Sequence, residues 1–179
     1  VMIPGSKNTM SDLKWMRQNG MEAAILKLAA ANVPVLGICG GYQMLGESIE
    51  DPDGEEGGGS LHGMGLLPVR TVFGKEKVQT RVTGEILQNP GAGDGLFAAL
   101  CGSVFSGYEI HMGHTTGNGK NSFSRIRTLT NGSTEAEEDW QADGAVCGNV
   151  AGTYVHGLFE DGSLTKNLCG ALLSKKGIC

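Results

Sequence analysis

The sequence predicts an α/β protein that opens with strand–helix alternation and continues with antiparallel strands. Three observations carry this. The run Val33–Ile38 is apolar on both faces, as a strand inside a parallel sheet must be. Before it, Met21, Ala24, Ile25, Leu28 and Ala29 keep the i, i+3, i+4, i+7, i+8 spacing of an amphipathic helix. After the glycine-rich stretch that ends at Ser60 the texture changes to short strand-like segments.

In chain order, Val1 to Ile3 reads as a strand and Pro4 to Asn8 as a loop. Ser11 is the expected N-cap of a helical piece, Leu13 to Asn19, which Gly20 interrupts. Asn32 suits the C-terminal end of the second helix. The strand Val33–Ile38 leads into a helix expected to run from Cys39 to about Ile49. Asp51 to Ser60 is acidic and glycine-rich, and reads as a flexible surface connector. It lacks the Gly-Lys-Ser/Thr ending of a phosphate loop and carries the wrong charge for one. Strands are expected at Leu66–Phe73, Val78–Leu87, Val104–Met112 and Ser122–Arg127, with a short helix at Gly95–Leu100. A polar loop at Asn131–Asp139, strand residues at Val146 and Val150–His156, and a helix at about Leu164–Ser174 complete the chain.

The chain has 179 residues, 40% of them hydrophobic, enough for one domain with a real core. Its 30 glycines have no period, which excludes a collagen-like fibre. The net charge of −5, with no basic run longer than Lys175-Lys176, argues against a nucleic-acid surface. No apolar stretch approaches the roughly 18 residues of a membrane span, and no signal peptide is visible. The five cysteines (Cys39, Cys101, Cys147, Cys169 and Cys179) show neither C-x-x-C pairs nor metal-site spacing. A reducing, cytoplasmic home and no metal are expected. Pro4-Gly5 directly after three apolar residues reads as the end of a strand whose preceding units are missing, so a fragment of a longer protein is expected.

The chemistry concentrates at Gly37-Ile38-Cys39-Gly40-Gly41-Tyr42-Gln43. A strand that breaks at a residue between glycines and then opens a helix presents that side chain on a sharp elbow. With cysteine there, the expected chemistry is thiolate attack on an acyl carbon, with the helix N-terminus favouring the thiolate. The Gly40 N–H would face a developing oxyanion. A second glycine loop, Pro4 to Thr9, also follows a strand and could donate another N–H, from Gly5. Gly152-Thr153-Tyr154-Val155-His156-Gly157 is a strand that ends in a histidine, where a base could reach a nucleophile on a neighbouring strand end. His62, His111 and His114 compete with His156 for that role. Lys75, Lys77 and Arg81 read as a solvated basic group at strand edges.

Taken together, these segments resemble the class I (triad-type) glutamine amidotransferases, whose G-x-C-x-G-x-Q signature is matched at every fixed position by Gly37 to Gln43. Within that superfamily the resemblance is to the C-terminal amidotransferase domain of the cobyric acid synthases. Ile3 to Thr9, Gly107 to Gly113 and Gly152 to Phe159 carry it, in the expected order along nearly the whole chain. The resemblance implies a flavodoxin-like three-layer fold over residues 1–179, with a mostly parallel central sheet, added antiparallel strands and its first strands absent. It implies a Cys39 nucleophile that forms a γ-glutamyl thioester, a His156 proton shuttle, Gly5 and Gly40 at the oxyanion, and Gln43 holding the glutamine. It also implies an N-terminal synthetase domain that uses ATP and Mg²⁺ to amidate the b, d, e and g carboxylates of adenosylcobyrinic acid a,c-diamide. Oligomeric state stays open.

One departure stands out. The usual class I Glu two residues after the histidine is replaced by Leu158. Glu109, Glu160 and Asp161 are candidate substitutes, and His111, on the same strand face as Glu109, could line the site, contact the acceptor or support His156. Competing readings are a cobyrinic acid a,c-diamide synthase, a cell-wall lipid II amidotransferase subunit and a non-catalytic binding domain on the same scaffold.

Overall fold

The computed structural model describes residues 1–89, 92–117, 119, 121–129, 140–160 and 162–177. The polar loop expected at Asn131–Asp139, the candidate Asp161 and Cys179 lie outside the described residues. The first sheet has four strands in the order β1-β2-β10-β9. The strands β1 (Met2–Ile3), β2 (Val35–Ile38) and β10 (Val150–Thr153) run parallel, and β9 (Ala145–Cys147) joins β10 antiparallel. Side chains alternate across this sheet. Val35 and Val150 enter one core with Leu13, Met16, Ile25 and Leu45. Leu36 and Ala151 enter a second core with Phe105, Leu158 and Leu164. Burial on both faces is why β2 reads as uninterrupted apolar sequence. Each fully buried Leu, Ile or Phe in these cores is worth about 1.5–3 kcal/mol.

Helices α1 (Thr9–Gln18), α2 (Met21–Ala30) and α3 (Gly40–Leu45) contribute to the first core, while α4 (Gly162–Lys175) packs into the second. The cap of α1 is Asn8, not Ser11: the Asn8 side chain accepts from the Ser11 N–H at 3.0 Å, and buried Thr9 and Met10 start the helix earlier than its apolar spacing alone indicates. Helix α3 stops at Leu45 because its last carbonyls are claimed from outside. Met44 O accepts from Met64 N–H at 2.8 Å, and Leu45 O accepts from the N–H groups of Leu66 and Leu67, both at 2.9 Å. The chain turns there into a strand rather than continuing to Ile49.

That strand, β3 (Ser48–Asp51), belongs to a second, mostly antiparallel sheet. The sheet also contains β4 (Gly59–His62), β5 (Arg70–Ile86), β6 (Val104–Thr116), β7 (Ser124–Thr128), β8 (Gln141–Asp143) and β11 (Val155–His156). The two strands expected at Leu66–Phe73 and Val78–Leu87 are one, β5. Phe73 faces Gly113 and Val78 faces His111, so residues 74–77 bulge out opposite a single partner position. The expected short helix is a 3-10 turn at Ala98–Leu100. Strand β8 was not legible in the sequence. Chain segments β10 and β11 are consecutive, yet lie in different sheets. Tyr154 is the crossing point between them.

Candidate active site

Cys39 is the single residue between β2 and α3, and its backbone is strained to φ 52° and ψ −111°. A side chain in this left-handed range costs on the order of 1–3 kcal/mol, and such strain clusters at functional sites. Two hydrogen bonds hold it: Cys39 N–H donates to Thr153 O at 2.8 Å, and Gln43 N–H donates to Cys39 O at 3.0 Å. The elbow also needs glycines for contact reasons. A Cβ at Gly41 would lie 2.2 Å from Ile3 O, and one at Gly37 would lie 2.6 Å from Gly41 O. The sulfur is buried and lies 3.5 Å from Ile110 O, to which the thiol donates.

Burial raises the Cys39 pKa. The Gly40 N–H pulls the other way, and Glu56 adds to the rise. The helix-end N–H of Gly40 favours the thiolate as expected, but desolvation outweighs it at this six-residue helix.

Gly5 lies between Cys39 and His156. A Cβ built on it would be 3.6 Å from Cys39 Cβ and 2.8 Å from His156 Cε1. Gly40 packs on the same loop, its Cβ direction 2.8 Å from Ser6 N. Among the described residues the Gly5 N–H donates no hydrogen bond. The four elements that meet here are the end of β1, the elbow, β11 and β6.

His156 pairs with Tyr108 across β11 and β6, and the two rings stack at 5.3 Å and 5°. Burial lowers the His156 pKa, and the charge of His111 lowers it further. Among the described residues no carboxylate hydrogen-bonds to His156. Leu158, at the usual triad position, is 1% exposed inside the second core. Glu160 lies against Gly157, its carboxylate carbon 3.6 Å from that residue's Cβ direction, and does not bond the imidazole. Glu109 instead sits 3.5 Å from His111 Nε2, while His111 Nδ1 is 2.9 Å from Gly113 O and its ring stacks on Tyr154 at 3.8 Å. His62 ends β4, and His114 lines a separate polar cavity with Asp143.

The segment Gly107–Gly113, opaque in sequence, wraps the site. Gly107 leaves room for His156 O, which a Cβ would meet at 2.2 Å. Tyr108 stacks on the imidazole, Ile110 O meets the thiol, and Gly113 leaves space for the Gln43 amide. Gln43 is 2% exposed and both ends of its amide are engaged. Its oxygen accepts from Thr9 Oγ1 at 3.0 Å, and its nitrogen donates to Tyr154 Oη at 3.2 Å. Gln43 thus fastens α1, α3 and the β10–β11 crossing together at the cavity wall.

A cavity of 220 Å³ opens beside the sulfur, lined by Cys39, Gln43, Thr9, Ile110, His111 and, unexpectedly, the acidic loop. Glu55 and Glu56 reach it from Asp51–Gly58, and Lys77 reaches it from the β5 bulge. The loop is therefore no flexible connector. Asp51 is buried beneath it and accepts from the N–H groups of Glu55, Glu56 and Gly58 at 2.9, 2.7 and 2.8 Å. Burial pushes the Asp51 carboxyl up, but these N–H groups outweigh it and hold its pKa below the usual range. Lys75, Lys77 and Arg81 are exposed as expected, and Lys77 also lines this cavity.

Asp143 and Tyr154 also escaped sequence reasoning. Asp143 is 4% exposed and accepts from Ser124 Oγ, Thr153 Oγ1 and Tyr154 N–H at 2.7, 2.5 and 3.0 Å. It pins the crossing that carries His156. Burial raises its pKa despite those donors.

A profile of the CobB/CobQ-like glutamine amidotransferase domain matches residues 1–164. The chain belongs to this family. The CobB/CobQ-like domain is 49% identical over 179 residues to a cobyric acid synthase of Ruminiclostridium cellulolyticum, covering 99% of this chain and 33% of the relative. It is 44% identical over 182 residues to a cobyric acid synthase of Yersinia enterocolitica, covering 99% and 34%. The chain thus spans about a third of the length of these relatives. Among solved structures, a chain of PurLQS from Thermotoga maritima aligns with a TM-score of 0.51 and 17% identity, over 87% of this chain and 68% of that one. That likeness concerns the fold. The CobB/CobQ-like domain is a glutamine amidotransferase domain with a parallel α/β core and antiparallel additions.

Proposed function

We propose that the domain hydrolyses glutamine through Cys39. The sulfur attacks the side-chain amide carbon while His156 accepts the thiol proton, and the oxyanion is held by the N–H groups of Gly5 and Gly40. His156 then gives its proton to the departing nitrogen, releasing ammonia and leaving a γ-glutamyl thioester. Water, deprotonated by the same imidazole, cleaves the thioester to glutamate and restores the thiol. Gln43 acts by holding the cavity wall. The ammonia serves an ATP- and Mg²⁺-dependent synthetase domain of a longer cytoplasmic protein, which amidates the b, d, e and g carboxylates of adenosylcobyrinic acid a,c-diamide. Supporting the last step are relatives named cobyric acid synthase that are about three times as long as this chain.

One observation carries the reading: Gly5 packs against both Cys39 and His156, and Cys39 also lines a cavity of amino-acid size. The test is glutamate release with and without the synthetase domain. Cys39→Ala is expected to abolish it, by 10⁴-fold or more on the order of triad-residue losses. Wild-type glutamate release from Cys39→Ala would overturn the nucleophile assignment.

A further inference from the structure

The cavity beside Cys39 is not uniformly polar. Glu55, Glu56, Lys7 and Lys77 all line it; Glu56 is half-buried and the other three are exposed. Charges of both signs around a small cavity complement a zwitterion. Glutamine is one: its amide end must face Cys39, which leaves an α-ammonium and an α-carboxylate to be read at a distance.

Glu56 is the best-placed reader. Its Oε2 accepts from the Met10 N–H at the start of α1, at 2.8 Å, which fixes the side chain. Its Oε1 makes no hydrogen bond among the described residues. The loop beneath is locked by Asp51, so the carboxylate is pre-positioned rather than mobile. Its charge is felt at the sulfur, where it contributes to the raised pKa. Lys77 is brought to the rim by the four-residue bulge in β5, a feature that ordinary strand pairing does not require.

We infer that Glu56 binds the α-ammonium of the substrate and Lys77 its α-carboxylate, so the acidic loop and the β5 bulge together select an α-amino acid amide. This rests on the glutaminase reading and adds the groups that choose the substrate. A charge-assisted hydrogen bond at such a site is worth about 10- to 100-fold in binding.

The experiment compares three amides in the full-length protein: L-glutamine, 4-carbamoylbutanoate (no ammonium) and 4-aminobutanamide (no carboxylate). Glu56→Gln keeps an oxygen for the Met10 N–H but loses the charge. The expected result is a 10- to 100-fold fall in the ratio of kcat/KM for glutamine to that for 4-carbamoylbutanoate, expressed mainly in KM. Lys77 is exposed, so Lys77→Met tests the other half in a variant whose folding is not at stake. It should lower the ratio of glutamine to 4-aminobutanamide by a similar factor. An unchanged ratio overturns the inference, and so does an equal loss on all three amides, which would mark Glu56 as a support for the loop only. Either result leaves the glutaminase reading intact. A wild-type protein that releases no glutamate overturns both.

Discussion

Gly5→Ala is the sharpest perturbation this geometry offers, because it tests the meeting of three residues without removing any reactive group. The added methyl would lie 2.8 Å from His156 Cε1 and 3.6 Å from Cys39 Cβ. Ordinary contact begins near 3.4 Å, so about 0.6 Å must be given up, and the second distance allows little movement toward the sulfur. The imidazole must therefore yield. It cannot simply slide, since Tyr108 stacks on one face and the His156 carbonyl is fitted against Gly107. A ring rotation that moves the base by close to 1 Å costs on the order of 100-fold in rate, about 2.7 kcal/mol of barrier. Stability should fall by no more than about 2–3 kcal/mol. Gly5 is not among the residues of positive φ, so alanine gains roughly 0.4–1 kcal/mol from the unfolded state, against an overpacking cost of about 1–3 kcal/mol. The assay is kcat for glutamate release alongside a thermal melt, with Gly170→Ala as control because its methyl meets nothing. A Gly5→Ala protein with wild-type kcat would refute the convergence as the catalytic arrangement.

Three further outcomes follow. The acidic limb of kcat/KM should titrate below the ordinary histidine value of 6.5, because burial and His111 both disfavour the charged imidazole that cannot accept the thiol proton. His111→Gln removes the like charge and should move that limb upward toward 6.5 without passing it, since burial remains. A pH–rate profile reads this, and a downward or absent shift contradicts it. Leu158→Glu restores the usual class I residue in sequence but places a carboxylate in the second core, where Leu158 is 1% exposed. It should cost about 3–5 kcal/mol in denaturant unfolding, as an uncompensated buried charge does, without raising glutamate release.

Much of this was legible in the sequence where one segment carries both the signal and the structure. The elbow is such a case: strand, strained cysteine and glycines are adjacent, and close backbone contacts at Gly37 and Gly41 explain why no other residue type fits there. The helix α2, the apolar β2 and the strand-rich second half were read for the same reason. What stayed hidden depends on contacts between segments far apart in sequence. Helix α3 ends early because residues 64–67 take its carbonyls, and no pattern within 40–49 announces this. The acidic loop looked like a solvated connector because its order comes from one buried side chain, Asp51, satisfying three backbone N–H groups. Asp143 gave no signal, yet its three donors join β7, β8 and the end of β10.

Among the described residues no carboxylate orients His156, and this bears on the protonation of the pair together with the two pKa shifts. A carboxylate on the imidazole would stabilise its charged form and favour a resting thiolate–imidazolium pair. Here the position holds Leu158, burial raises Cys39, and burial with His111 lowers His156. All of these favour the neutral thiol and neutral imidazole. Orientation, the other task of the missing carboxylate, falls to Tyr108, which stacks on the ring and adds no charge. Under the proposed reaction the proton must therefore leave sulfur as the carbon is attacked. The field that drives it comes from the substrate's developing oxyanion and the N–H groups around it.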